Sequence, residues 1–193
     1  MARRKEFDPD EALRRARERF HGHGFAQTSM QDLLTDMGIG QGSFYATFGS
    51  KEQLFRRALD DFAEAVVGRM VAVLRAGETP REAIAALLGG AVRIYASDPA
   101  HRGCFLVNTV IERAPHDPEL ARLLRQHWER LERALVEVLR QAQEEGQLDE
   151  DMEPRAVARM LVAVIHGMAV RSKFDPRAKP LEEIVQTTID ALL

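Results

Sequence analysis

Cysteine is nearly absent: the 193-residue chain holds one, Cys104. A single thiol cannot close an internal disulfide or build a cysteine-rich zinc site, which excludes a disulfide-stapled secreted scaffold. Long apolar runs are missing too. No stretch approaches the ~18 uncharged residues a membrane-spanning helix requires, and Met1-Ala2-Arg3-Arg4-Lys5 leads into acids rather than an apolar signal region. A cytoplasmic protein with no membrane partner is expected. Catalytic signatures are lacking: there is no HExxH, nucleophile elbow, P-loop or nucleophile–base spacing, so neither an enzyme nor a cofactor is expected. The six histidines do not gather into a metal site. His21 and His23 form one weak pair, His101, His116 and His127 are scattered, and His166 on an apolar face reads as a hydrogen-bonded core residue. Basic excess is also lacking, with 27 basic against 30 acidic side chains. Taken over the whole chain, that balance argues against a nucleic-acid partner.

What is present is helical spacing punctuated by proline. Proline fits the first turn of a helix and breaks its interior, so its positions mark boundaries. Asp8-Pro9-Asp10-Glu11 and Thr79-Pro80-Arg81-Glu82 read as a capping residue, Pro at the first position and Glu at the third. Asp117-Pro118 and Glu153-Pro154 resemble them, and Pro99, Pro115, Pro176 and Pro180 fall in polar breaks. Ser29 and Ser50 offer further caps. No sustained alternating pattern with hairpin signals occurs. The spacing predicts an all-α chain of about nine helices: Pro9–His21, Met30–Met37, Gln41–Phe48, Lys51–Arg75, Pro80–Ser97, Arg102–Arg113, Pro118–Glu145, Pro154–Lys173 and Leu181–Leu193.

Two of these helices are very short and lie within the first 50 residues. Short helices persist only when packed, so the start of the chain reads as a three-helix unit with Phe20, Phe25, Leu33, Leu34, Ile39, Phe44 and Phe48 as its core. The division falls at 1–50 and 51–193, without a flexible linker. Residues 28–52, TSMQDLLTDMGIGQGSFYATFGSKE, give a helix, a tight Gly38-Ile39-Gly40 turn and a second short helix. That is the helix-turn-helix layout, whose second helix enters the DNA major groove. Phe44 and Phe48 face the core, leaving Gln41, Gly42, Ser43, Tyr45 and Thr47 outward. None is acidic, which spares the phosphates a like charge. Reading Gly38 to Gly42 as a phosphate loop fails, because that motif follows a buried strand and Gln31–Met37 is helical.

At these residues the chain resembles the TetR family of bacterial transcriptional repressors. The resemblance is carried by Gly24-Phe25 with Thr28-Ser29-Met30, Gly38-Ile39, Gly42-Ser43-Phe44-Tyr45 with Phe48, and Ser50-Lys51-Glu52 with Leu54-Phe55, over roughly Phe7 to Phe55. It departs at Thr47, where the family often has His or Tyr, and at Gly40-Gln41, where Ser and a basic residue are frequent. The resemblance implies that Gln41 and Ser43 reach bases, Tyr45 and Thr47 bases or phosphate, and Thr28 and Lys51 phosphate. It also implies that Arg3-Arg4-Lys5 lies along the DNA.

For the rest of the chain it implies a helical domain for effector binding and dimerisation. The double-stranded operator would be palindromic, so the reader would be a homodimer joined through Pro154–Lys173 and Leu181–Leu193. The apolar faces are Val157, Met160, Leu161, Val164, Ile165, Met168 and Ala169 on one helix, and Ile184, Val185, Thr188, Ile189 and Leu192 on the other. A small-molecule effector, largely apolar, would meet Phe62, Val66, Met70, Tyr95, Cys104, Phe105, Asn108, Ile111 and Trp128. Cys104, beside Arg102 at a helix start, is also a candidate electrophile-sensing thiolate. The alternative is a helical small-molecule carrier or enzyme that does not use DNA. The overall net of -3 does not count against the first reading, since residues 1–57 hold ten basic and eight acidic side chains and the negative charge belongs to the remainder.

Overall fold

Helix starts are set by the side chains just before them. In the computed structural model, which describes residues 7–193, Asp8 caps α1 (Pro9–His23) by accepting from the Asp10 N–H at 2.9 Å. Glu11 does not reach back to complete the predicted box; it accepts from Arg14 and Arg15 instead. The reciprocal box forms at α2 (Met30–Met37), where Ser29 Oγ accepts from the Asp32 N–H at 3.1 Å and the Asp32 carboxylate accepts from the Ser29 N–H at 2.9 Å. Ser50 caps α4 (Lys51–Ala76), Thr79 caps α5 (Pro80–Ser97), Asp117 caps α7 (Pro118–Glu144) and Glu153 caps α8 (Pro154–Arg171). Between α2 and α4, α3 (Gln41–Phe48) starts from Gly40 without a side-chain cap.

Two starts differ from the sequence reading. The sixth helix, α6 (Phe105–Glu112), begins three residues later than predicted, and a 3-10 turn at Ala114–His116 follows it. The Asp98 carboxylate takes the Arg102 N–H at 2.8 Å, and the backbone turns left-handed at His101 and Gly103, so this segment is a loop. The last helix, α9 (Ala178–Leu192), begins three residues earlier, with Pro180 in its first turn, where its missing N–H has no intrahelical partner to lose. No strand occurs among the described residues.

Helices α1 to α3 pack around Phe20, Leu33, Ile39, Phe44 and Phe48, all buried, with Phe25 and Leu34 half-buried at the edge. Gly38 ends α2 in the left-handed region (φ 67°), which sends α3 across α2 at no side-chain cost. Helix α4 leaves this unit and runs into the bundle of α5 to α9, and the buried side chains form one continuous core. An aromatic chain marks the junction: Phe20 of α1 meets Phe55 of α4 edge-on at 5.0 Å, and Phe105 of α6 meets both Phe55 and Phe62. Between α8 and α9, Asp175 accepts from Arg177 and Arg171, which hold its carboxyl down at about 2.

Replacing Ser29 by Ala should lower unfolding stability by about 1 kcal/mol, read as a reduced urea midpoint at unchanged slope, while Glu11→Ala should leave the midpoint in place. Asp175, with its folded pKa below the unfolded value, contributes stability above the ordinary carboxylate range that is lost as pH falls toward 2. Asp175→Asn should therefore flatten the acid limb of a stability-versus-pH titration.

Candidate nucleic-acid interface and effector cavity

Helix α3 presents one buried and one open face. Phe44 and Phe48 are buried, Gln41, Gly42, Ser43 and Tyr45 are exposed, and Thr47 is half-buried. The Tyr45 ring stands edge-on to Phe44 at 5.3 Å, so packing at its base directs the phenol outward. Lys51, at the first position of α4, is less free: its Nζ sits 4.1 Å from the Phe25 ring centroid. Burial, then the nearby Arg113 charge, push its pKa below the ordinary lysine value, while Glu112 and Glu52 oppose that. Thr28 is 1% exposed and its hydroxyl donates to the Gly24 carbonyl at 2.7 Å. The expectation of a phosphate contact through that side chain is corrected, since its donor is already used inside the α1–α2 loop. The basic Arg3-Arg4-Lys5 stretch lies outside the described residues.

The loop carrying Thr28 is held from outside the three-helix unit. At the C-terminus of α6, the Glu112 carboxylate accepts from the backbone N–H groups of Ala26 at 2.9 Å and Phe25 at 3.1 Å. Gly24 sits at φ 77°, where a side chain is strained, and an added Cβ would fall 2.8 Å from Glu112 Oε2, so the carboxylate would have to shift. The next residue, Arg113, lies 4.0 Å from the Phe25 ring centroid and donates to Glu52 at 3.0 Å. Ahead of the same helix, Arg102 pairs with Glu18 and Asp98, and His21 shares its Nε2 with the Gly103 carbonyl at 3.2 Å. Both flanks of α6 therefore grip the three-helix unit.

A cavity of about 270 Å³ lies between α6, α7 and α8, lined by Val107 and Val110 from α6, Ala114, then Ala121, Leu124, Arg125 and Trp128 from α7, and His166 from α8. Of the nine predicted effector contacts only Trp128 lines it. Met70 borders a separate groove of about 200 Å³ between α4 and α5, with Arg69 and Arg93. Tyr95, Cys104 and Phe105 are buried in the core and Phe62 and Val66 pack at its edge. Asn108 is occupied as a brace, donating to the Arg102 carbonyl and accepting from Lys173. Ile111 is 64% exposed and does not line the cavity. His166 was missed: its ring stands edge-on to Trp128 at 4.3 Å, and its Nε2 is buried without the hydrogen bond the sequence reading assigned it. A lone polar residue on an apolar stripe was the available signal.

Residues 12–58 match the family model described as bacterial regulatory proteins, tetR family, and residues 80–188 match the tetracyclin repressor-like C-terminal domain. The chain belongs to the TetR family. The TetR-type chain is 38% identical over 165 residues to the uncharacterized HTH-type transcriptional regulator YezE of Bacillus subtilis (strain 168), spanning 83% of this chain and 84% of that one. It is 30% identical over 188 residues to the HTH-type transcriptional repressor ComR of Escherichia coli (strain K12), covering 97% and 90%. Among solved structures, a cysteine mutant of the TetR family transcriptional regulator CifR complexed with operator DNA superposes with TM-score 0.87 at 29% identity, over 100% of both chains.

In this TetR-family chain Cys104 is the N-cap of α6, as a thiolate site requires, but it is 5% exposed. Burial pushes its pKa up, against the pull of the Val107 and Leu106 N–H groups and the Tyr95 hydroxyl. Arg102 is spent on Asp98 and Glu18. The predicted lowering of the thiol pKa is thus reversed by desolvation. Among the described residues no group of three or more His, Cys, Asp or Glu is arranged to hold a metal ion, and no helix is long and apolar enough to cross a membrane.

Iodoacetamide should label native Cys104 on the order of a hundredfold more slowly than the urea-unfolded chain at the same pH, followed by mass spectrometry. Glu112→Ala should speed hydrogen exchange at the Phe25 and Ala26 amides selectively, with the α7 and α8 cores unchanged.

Proposed function

We propose that the protein is a DNA-binding transcriptional repressor that reads a palindromic operator as a homodimer and is released by a small-molecule effector. The observation that carries the reading is α3 itself, held by its buried Phe44 and Phe48 with an acid-free outer face of Gln41, Gly42, Ser43 and Tyr45. That face fits a major groove, where hydrogen-bonding side chains read base edges and carboxylates would meet phosphate. Lys51 adds a cation at the start of α4, where the helix dipole also favours phosphate. Residues 1–50 serve as the reading head and residues 51–193 as the effector-binding and dimerising domain. The operator-bound state of the similar CifR supports this division of labour. The protein carries out no reaction of its own in this reading.

Two half-sites recur about one DNA turn apart, ~34–36 Å, so two heads are needed. The surface that supplies the second is on α8. Val157, Leu161, Ile165, Met168 and Ala169 are used up within the subunit, as are Val185, Ile189 and Leu192 of α9. What remains outward is Met160 at 43%, Val170 at 40% and Phe174 at 73% exposure, with half-buried Val164 between them. Gly167 lies in the same stripe with no heavy atom near its would-be Cβ, which lets a second helix approach closely. An effector in the α6–α7–α8 cavity would press on Val107 and Val110 of α6, one turn from the Glu112 grip on the reading head. Its differential affinity for two positions of α6 would shift the population toward heads that cannot span both half-sites.

Gel shift across the protein's own promoter region tests the reading. Tyr45→Ala should weaken specific binding at least tenfold, and Lys51→Ala should weaken all sequences alike and reduce the salt slope by about 1. Absence of any shift at low salt defeats the proposal. Met160→Arg with Phe174→Arg should yield monomers by sedimentation that still melt cooperatively and no longer hold the operator.

A further inference from the structure

The wall of the α6–α7–α8 cavity is carbon almost throughout. Val107, Leu124 and Trp128 are buried and form its inner part, while Val110 and Arg125 are exposed and mark where it opens. Arg125 brings its methylene stem to a wall with next to no polar surface and keeps its guanidinium in water. Trp128 Nε1 and His166 Nε2 belong to lining rings, but both atoms have essentially no accessible surface and so do not face the space. Burial lowers the His166 pKa, which keeps that ring uncharged. Among the described residues, no carboxylate, hydroxyl or amide side chain lines the cavity.

Such a wall selects by what it cannot offer. A hydroxyl or amide that enters it gives up its water and gains no partner, and an ionised group loses far more. A hydrocarbon gives up nothing of that kind. It gains the transfer of its own surface out of water and close contact with the side chains around it. The volume sets the size. A dry cavity of about 150 Å³ accommodates benzene, so about 270 Å³ suits a body on the order of ten carbon atoms.

We infer that the cavity takes a compact hydrocarbon without hydrogen-bonding groups, held against Val107, Leu124 and Trp128, and that it excludes the alcohols and acids of the same carbon skeleton. The selectivity is a property of the wall; its regulatory meaning rests on the reading of this cavity as the effector site. Discrimination of this kind needs no residue that recognises a feature of the ligand, since the competitor is rejected by its own unmet polar groups. The ligand's contacts fall on Val107 and Val110 of α6 and on Ala121, Leu124 and Trp128 of α7, so its binding energy acts between those two helices.

Trp128 is the only tryptophan of the chain, so its fluorescence reports the inner wall directly and independently of DNA. The probes, titrated into the full-length protein, share one skeleton: limonene, its homologue with a ring ethyl in place of the ring methyl, perillyl alcohol, and perillate. The ethyl homologue and the alcohol differ only in a methyl against a hydroxyl, which removes size from the comparison. Both hydrocarbons should change the fluorescence saturably, and the ethyl homologue should bind at least about tenfold tighter than the alcohol. Perillate should not bind. His166→Phe, which keeps a ring against Trp128, should leave that ratio in place, because Nε2 does not face the space. Ala121→Phe, which fills the cavity from a half-buried position, should abolish the response; Val110→Phe fills it from the exposed lip if the first variant melts early. An alcohol that binds as tightly as its hydrocarbon counterpart overturns the inference. So does tighter binding of perillate, a wild-type response in both filled variants, or no response to either hydrocarbon at its solubility limit. A gel shift run on the same samples separates this inference from the effector reading. Hydrocarbon binding without operator release counts against the effector role and leaves the selectivity standing; operator binding with no fluorescence response does the reverse.

Discussion

The face of one half-buried ring gathers several of the contacts that join the three-helix unit to the rest of the molecule. Phe25 packs edge-on against Phe55 at 5.1 Å and carries two cations, Lys51 from the start of α4 at 4.1 Å and Arg113 from the end of α6 at 4.0 Å from its centroid. Contacts of this kind contribute about 0.5–2 kcal/mol each, and their value here is positional. Lys51 belongs to the reading head's edge and Arg113 to the end of α6. With Glu112 holding the backbone of the same loop, the placement of Lys51 is tied to the placement of α6. The ring, the two amides and Gly24 form a joint that transmits displacement because it is packed and hydrogen-bonded at once.

The cavity is near the other end of the same short lever. Val107 and Val110 line it, and Glu112 and Arg113 follow within a turn of helix. No long pathway of side chains separates the cavity from the three-helix unit, since α6 touches both. Arg102 and Gly103 grip α1 ahead of α6, so the helix is held at both of its flanks.

Much of the architecture was legible from the chain, and for local reasons. Caps, prolines and apolar spacing are properties of neighbours in sequence, so seven of the helix starts and the α2–α3 turn could be placed from them. The reading face was legible because Phe44 and Phe48 are four apart on a helix with no charge. What escaped reading depends on contacts between distant segments. Arg102–Cys104 looked helical until Asp98 captured the Arg102 amide, and Glu11 looked like a capping acid until two arginines took it. Thr28, Ile111 and His166 were misassigned for one shared reason: which side of a residue meets solvent, core or cavity is decided by the packing partner and not by spacing. Cys104 carried the right neighbours for activation, and burial outweighed them.

The uncharged reading helix has a further consequence for competition across a genome. Segment QGSFYATF contains no ionisable cation or carboxylate, so in the proposed reading the contacts that distinguish one base sequence from another release no counterions when they form. Salt acts on the flanking lysine and on the backbone contacts, which every sequence offers alike. The ratio between the right site and the countless wrong ones is therefore nearly constant as ionic strength varies, while the absolute occupancy of both falls together. A cell with fluctuating internal salt would keep the regulator's choice of gene and change only how much of it is bound.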